Sequence, residues 1–368
     1  MRTIEVYIPG KVMLAGEYSV LRGGHALAAT IDRGMTVTVT WDPKAAFWEI
    51  YSNLWQEPKL IHDDHTPQTD ILCRAVQFAA KKTGMHGGCV TIDSDLEVSY
   101  GVGSSSALRL GVCGAFFALQ KPNDFKEHDA LPREALTAAW QLQSEAQGLA
   151  SGYDIVTEFV GGLVEFSFDY SANRWAPHWF KHDLDGLNKM IHVFVGGRGA
   201  PTTSTIQTTG SWLDSAGRLD RLLDVSESLV DSFNACIHSP DKLSFQRLVS
   251  ACAASRALFA GNPHFPAELA HALANLHGLD KNWSWKTTGA GGEDAVLVIA
   301  IENDLKAVGD QLALAGWHPI GARFTDHGAQ VLKTESEIKT SPHTSDLGMS
   351  SPSKMSTAQS TTQLEAST

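Results

Sequence analysis

Apolar and polar positions alternate most clearly over residues 31–41, where Ile31, Met35, Val37, Val39 and Trp41 are interleaved with Thr36, Thr38 and Thr40. A period of two sets one row of side chains on a buried face, so this run and residues 3–8 predict strands, a β framework for the first 40 residues. Ile71, Leu72, Ala75, Val76 and Ala79 recur at helical spacing, and Val90 and Ile92 mark a short strand. Leu108, Val112, Ala115, Phe116 and Leu119 make the apolar stripe of a second helix. Strand-like runs follow at 161–168 and 190–197, and the pattern from Trp212 to His277 is mostly helical, punctuated at Ser239-Pro240 and Gly261-Asn262-Pro263. A strand at Val296–Ile301, a helix over 304–315 and strands near 321–325 and 328–332 complete an α+β second half.

Composition narrows the classes of function. With 368 residues, 43% apolar and 19% charged, the chain has material for two domains with real cores. Its net charge of −12, from 41 acidic against 29 basic residues, argues against a nucleic-acid or anionic-membrane surface, and any bound polyanion needs local basic groups or a metal. Five widely spaced cysteines without a CxxC pair suit reduced thiols and a cytoplasmic setting. The first residues read as strand rather than signal peptide, and no run approaches the roughly 20 apolar residues that span a bilayer. Beyond Lys333, 16 of the last 35 residues are Ser or Thr, which predicts a disordered tail over 334–368, either solubilising or a phosphorylation segment.

The chemistry concentrates in the segment Gly101-Val102-Gly103-Ser104-Ser105-Ser106-Ala107, between a strand-like run and an apolar helix. Glycines allow close backbone approach to an anion, and a helix start offers N–H groups and partial positive charge. No Lys-Ser or Lys-Thr pair closes the loop, so it is not a Walker A sequence, and alone it also fits an ordinary strand-to-helix turn. Two further segments join it: Pro9-Gly10-Lys11-Val12-Met13-Leu14-Ala15-Gly16-Glu17-Tyr18-Ser19-Val20-Leu21, and Thr288-Gly289-Ala290-Gly291-Gly292-Glu293-Asp294-Ala295. In this order the three resemble the signature motifs of the GHMP kinases, the superfamily of galactokinase, homoserine kinase, mevalonate kinase and phosphomevalonate kinase, over roughly residues 4 to 332.

The resemblance implies an α+β fold of two domains: an N-terminal, ribosomal-protein-S5-like nucleotide-binding domain over 1–189 and a C-terminal, ferredoxin-like domain over 190–333. It implies ATP and Mg²⁺, held by Gly101, Gly103, Ser104, Ser105 and Ser106, with Ser105 on the metal, and by Gly289, Gly291 and Gly292. The stretch Glu145–Asp154, followed by Gly161-Gly162, is similar to the one that supplies a catalytic aspartate, here Asp154, paired with Lys11. A carboxylate beside a cation stays ionised and can take the acceptor hydroxyl's proton. Glu17, Tyr18, Ser19, Ser151, Thr202, Thr203 and Ser204, with Lys11, are the expected acceptor contacts. Glu145 is spaced too closely to Asp154 for the family's metal-binding glutamate, and Glu293 stands where a small residue is usual.

For the acceptor, Gly16-Glu17-Tyr18-Ser19-Val20-Leu21 resembles the mevalonate-pathway kinases more than the sugar kinases. The Ala146-Gln147-Gly148 to Asp154 segment, the run Gly197–Thr205 and the ending Gly316–Ile320 lean toward phosphomevalonate kinase, with mevalonate kinase the runner-up. Against that, Ser99 stands where a phosphomevalonate kinase usually carries lysine, which leaves Arg33, Arg109, Arg198 and Lys286 as substitutes. The expected protein is therefore a cytoplasmic small-molecule kinase of the isoprenoid precursor pathway, monomer or homodimer. A nucleotide- and metabolite-binding sensor without turnover is the alternative of a different class.

Overall fold

The computed structural model describes residues 1–335 apart from 56, 63–69, 99, 170–174, 197–201, 275, 277–281, 290 and 292–293. The described residues form one compact unit built on two sheets. The first sheet contains β1 (Arg2–Ala15), β2 (Ala26–Trp41), β3 (Phe47–Ser52), β4 (Lys59–His62), β5 (Gly88–Ser94), β6 (Leu163–Phe168) and β7 (Pro177–His182). The second contains β8 (Ile191–Val195), β9 (Trp283–Thr287), β10 (Ala295–Ala300) and β11 (His318–Pro319), ordered β11-β8-β10-β9 and antiparallel throughout. A last strand, β12 (Gln330–Glu335), returns to the first sheet, whose order is β12-β1-β2-β5-β3-β4, with β6 on β2 and β7 on β6.

The alternation over 31–41 works as its period demands. Met35, Val37 and Val39 are buried and the intervening threonines half-buried, with β2 lying between β1 and β5. The return of β12 differs from the sequence expectation. Its pairing Ile4↔Thr334 and Thr3↔Glu335 assigns to the first sheet the final strand expected in the second half, together with the first two residues expected in the tail. The strand expected near 321–325 is reduced to one bridge between Phe324 and Ile31, because Asp32 caps the turn instead, accepting the Arg323 N–H. Residues 336–368 lie outside the described residues.

Ten helices are described: α1 (Ile71–Thr83), α2 (Ser104–Gln120), α3 (Arg133–Gln147), α4 (Tyr153–Val160), α5 (Leu187–Met190), α6 (Thr202–Asp214), α7 (Arg218–His238), α8 (Lys242–Phe259), α9 (Ala267–Ala274) and α10 (Glu302–Leu314). Among the described residues no helix is long and apolar enough to cross a membrane. α2 is buried nearly all round, packed on β1 and β2 and flanked by α1 and α3. Gly111 lets it approach the sheet, since a Cβ there would lie 2.7 Å from Val37 Cγ2. A helix fixed this firmly holds its N-terminus at one place beside β1, where the chemistry is assembled.

Candidate active site

β1 brings Lys11 between two irregularities in its pairing with β2, at Pro9/Gly10 and Met13/Ala15. The Lys11 backbone N–H donates to Val102 O at 2.8 Å, joining the strand to the glycine loop. Gly103 adopts a left-handed conformation (φ 90°) and caps α2 without a side-chain acceptor, so the helix starts with no cap of its own over Ser104, Ser105 and Ser106. Uncapped N–H groups at the end of a 17-residue helix form an anion site.

These groups line a cavity of about 380 Å³. Among the sequence-predicted residues it brings together Lys11, Glu17, Tyr18, Gly101, Gly103, Ser104, Ser105, Ser106, Ser151, Asp154 and Gly289. Gly291 lines an adjoining recess shared with Glu17, Tyr18 and Gly289. Ser19 does not line the cavity: it is fully buried, with its hydroxyl 2.6 Å from Ser226 Oγ and 3.1 Å from Gly16 O, and so serves the turn after β1. Thr202, Thr203 and Ser204 open α6, but their side chains lie outside the description, as do Gly292, Glu293, Ser99 and Arg198 entirely. Glu145 is exposed on α3 and accepts from Gln141.

The expected direct pairing of Lys11 with Asp154 does not form. Lys11 Nζ donates instead to Tyr153 Oη and Gly101 O, both at 3.2 Å, and lies 5.3 Å from the Tyr153 ring centroid. Tyr153 starts α4 one residue before Asp154 and takes the space beside the ammonium, while Asp154 Oδ2 accepts from Gln143 Nε2 at 2.8 Å. Burial alone would lower the Lys11 ammonium, but Tyr153, Asp154 and Glu158 outweigh it and hold it above its usual range. The cation therefore stays charged at neutral pH although only 5% exposed.

Several residues that shape the site carried no motif. Gln143 is buried on α3, and its Oε1 has no hydrogen-bond partner. Arg109, named only as a substitute cation, is buried on α2, donates to Ser105 O at 3.0 Å and also binds Ser105 Oγ. Lys286 of β9 is buried in an ion pair with Glu17. Their common sequence signal is a polar residue at an apolar position, as for Gln143 one turn beyond the buried Ala139.

Metal binding can be tested against these donors. The Asp154 carboxylate belongs to the cavity wall, and a hard oxygen of this kind suits Mg²⁺, which takes one or two carboxylates alongside substrate phosphates; Gln143 Oε1 is buried. Among the described residues no group of three or more His, Cys, Asp or Glu side chains is placed to hold a metal, so phosphate oxygens would have to supply much of the shell of a bound Mg²⁺. Ser105, the expected ligand, already accepts from the Arg109 guanidinium.

Comparison with known proteins agrees with this architecture. Residues 70–162, which include the glycine loop and Asp154, match the GHMP kinases N terminal domain. A mevalonate kinase of Thermococcus onnurineus (strain NA1) is 22% identical over 363 residues, covering 88% of this chain and 96% of the relative. A mevalonate kinase of Methanothermobacter thermautotrophicus is 28% identical over 230 residues, covering 61% of this chain and 67% of the relative. The fold is shared with Streptococcus pneumoniae phosphomevalonate kinase in complex with phosphomevalonate and AMPPNP: TM-score 0.68, 17% identity, 88% of this chain and 100% of that one.

Proposed function

Taking as premise that this chain is a GHMP-type kinase, we propose that it transfers the γ-phosphoryl group of ATP to the hydroxyl of mevalonate. The observation that carries the choice of acceptor is the supply of positive charge. Among the described residues only Lys11 and Arg109 are cations lining the cavity, and Arg109 is committed to Ser105. Lys286 is neutralised by Glu17, and Arg33 belongs to a separate surface groove with Asp95 and Glu97. A phosphorylated acceptor needs its own charge-assisted partners in addition to those for ATP, whereas mevalonate brings one carboxylate. The relatives' names point the same way, and the lean of the sequence motifs toward phosphomevalonate gives way to this count.

The chain's residues divide the work that phosphoryl transfer requires. The α2 N-terminus and Lys11 receive the ATP phosphates, opposing charge that builds on the transferring group. Asp154, oriented by Gln143, takes the proton as the acceptor oxygen bonds to the γ-phosphorus and the bond to the β,γ-bridging oxygen breaks, releasing ADP. Asp154 is the residue that would hold Mg²⁺, which would supply further charge neutralisation when bound.

The test is ADP release with Mg-ATP against mevalonate, 5-phosphomevalonate, galactose, homoserine and no acceptor. Turnover with mevalonate alone is expected. Turnover with 5-phosphomevalonate alone would overturn the charge argument, and silence across the panel would favour a sensor.

A further inference from the structure

Glu158 has no part in the chemistry described so far, yet it is the most constrained ionisable group beneath the phosphate loop. It lies on α4, four residues beyond Asp154, and is fully buried. Its Oε1 is 2.6 Å from Ser106 Oγ, while Oε2 is buried with no hydrogen-bond partner. Above it, Gly103 approaches so closely that a Cβ there would lie 2.4 Å from Glu158 Oε1, 3.0 Å from Lys11 Cγ and 3.2 Å from Lys11 Cε. The carboxyl thus lies against the cap of α2 and bonds a serine in its first turn, with the stem of Lys11 packed against the same glycine. Burying a carboxyl with half its capacity unmet costs stability, so the fold keeps a local conflict directly behind the site.

We propose that Glu158 is a positioning residue for nucleotide: by accepting a hydrogen bond from the Ser106 hydroxyl it locks the Gly101–Gly103 turn and the first turn of α2 into their phosphate-receiving geometry. Ser106 Oγ also lies 2.9 Å from the Gly103 carbonyl, so with the acceptor at Glu158 removed the hydroxyl turns to that carbonyl and frees the helix start from α4. The requirement is for an oxygen acceptor that fills this space, not for charge, because Lys11 already has Tyr153 and Gly101 as its partners. Glu158 is absent from the cavity wall, so its effect on ligand passes through Ser106 and the loop.

The inference rests on the reading of the site as a nucleotide site but not on the identity of the acceptor, so it is tested by binding rather than turnover. Calorimetry with Mg-AMPPNP compares the full-length wild type with E158Q, E158A, S106A and E158A/S106A, each corrected for its folded fraction by circular dichroism. A single buried hydrogen bond to a carboxyl corresponds to roughly a tenfold change in affinity. E158A and S106A are each expected to weaken binding by about that factor, the double variant by no more than either alone, and E158Q to stay near wild type because its amide oxygen still accepts from Ser106. E158A binding like wild type per folded molecule, or losses that multiply in the double variant, would overturn the positioning role while leaving the kinase reading intact. A wild type that binds no nucleotide would instead sink the kinase reading, and this inference with it. Should E158A fail to fold, E158Q and S106A still decide: a loss in E158Q as large as that in S106A contradicts the proposal.

Discussion

Two carboxylates on one helix are put to opposite use by their surroundings. Asp154 faces the cavity with Gln143 as its donor, whereas Glu158, one turn later, faces the interior. Replacing Asp154 by Asn keeps the shape but removes the proposed proton acceptor and the carboxylate that would hold Mg²⁺, so kcat is expected to fall by about 10²–10⁴ and Mg-ATP affinity to weaken with it, read by steady-state kinetics and calorimetry. Equal kcat in variant and wild type would remove Asp154 from proton transfer. Burial, then the proximity of Asp154, pushes the Glu158 carboxyl well above its usual range. Between its unfolded value and that raised value the native state binds more protons than the unfolded chain, so this group makes the protein less stable as pH rises. E158Q removes that slope. In urea titrations the variant is expected to gain stability over wild type at pH 7 and to lose the advantage near pH 4, and the reverse order would contradict a buried, proton-holding Glu158. Asp154 was legible because a family motif marks it. Glu158 was not, because an isolated glutamate in an eight-residue helix carries no sign of which way it faces.

The elements that carry the site were legible to the extent that they repeat. The period-two run of β2 and the apolar stripe of α2 both appear where periodicity places them, since each buries a continuous face that sequence alone displays. The loop between β5 and α2 was legible only as a glycine pattern; the reason for its second glycine lies in contacts that sequence does not contain. Gly103 holds φ at 90° and sits against Glu158 and Lys11, so Gly103→Ala would meet both a backbone penalty of about 1–3 kcal/mol and a side-chain clash. Gly291 also takes a positive φ, of 85°, but a Cβ there would meet nothing within 4 Å. Thermal melts with nucleotide titrations are therefore expected to separate the two positions: G103A loses both Tm and nucleotide binding, while G291A loses Tm by a smaller amount. Similar losses at both positions would mean that backbone conformation, not the packing under the loop, governs the glycine requirement. The 148–152 turn before α4 is fixed in another way, with Trp140 donating to Ala150 O and Trp175 to Ser151 O from two stacked indoles. No spacing rule links those tryptophans, which is why the support of α4 was invisible in the chain.

Across the whole molecule, the sequence divides into halves more sharply than the structure does. β12 leaves the second half to pair with β1, and its pattern of mixed polar and apolar residues showed a strand but not its partner. Motif one and the second sheet are joined by two buried contacts: the Thr288 hydroxyl donates to Met13 O at 2.5 Å, and Lys286 of β9 pairs with Glu17. Burial raises the Glu17 carboxyl while Lys286 draws it back, so the pair is held together against the cost of removing both charges from water. Breaking it from one side leaves an uncompensated charge. Lys286→Met is expected to destabilise the protein by about 3–5 kcal/mol at pH 7 in urea titrations. With the lysine gone, the folded value of Glu17 rises further above its unfolded value, so the stability present below that unfolded value is lost as pH rises, and the K286M defect shrinks toward pH 4. Adding Glu17→Gln to K286M removes the stranded charge and is expected to recover most of the loss at pH 7 without restoring kinase activity, because Glu17 also lines the cavity. If the double variant were no more stable than K286M, the contact would be one of packing between the halves and not of charge. If it regained both stability and turnover, Glu17 would be a structural clamp with no role toward the acceptor.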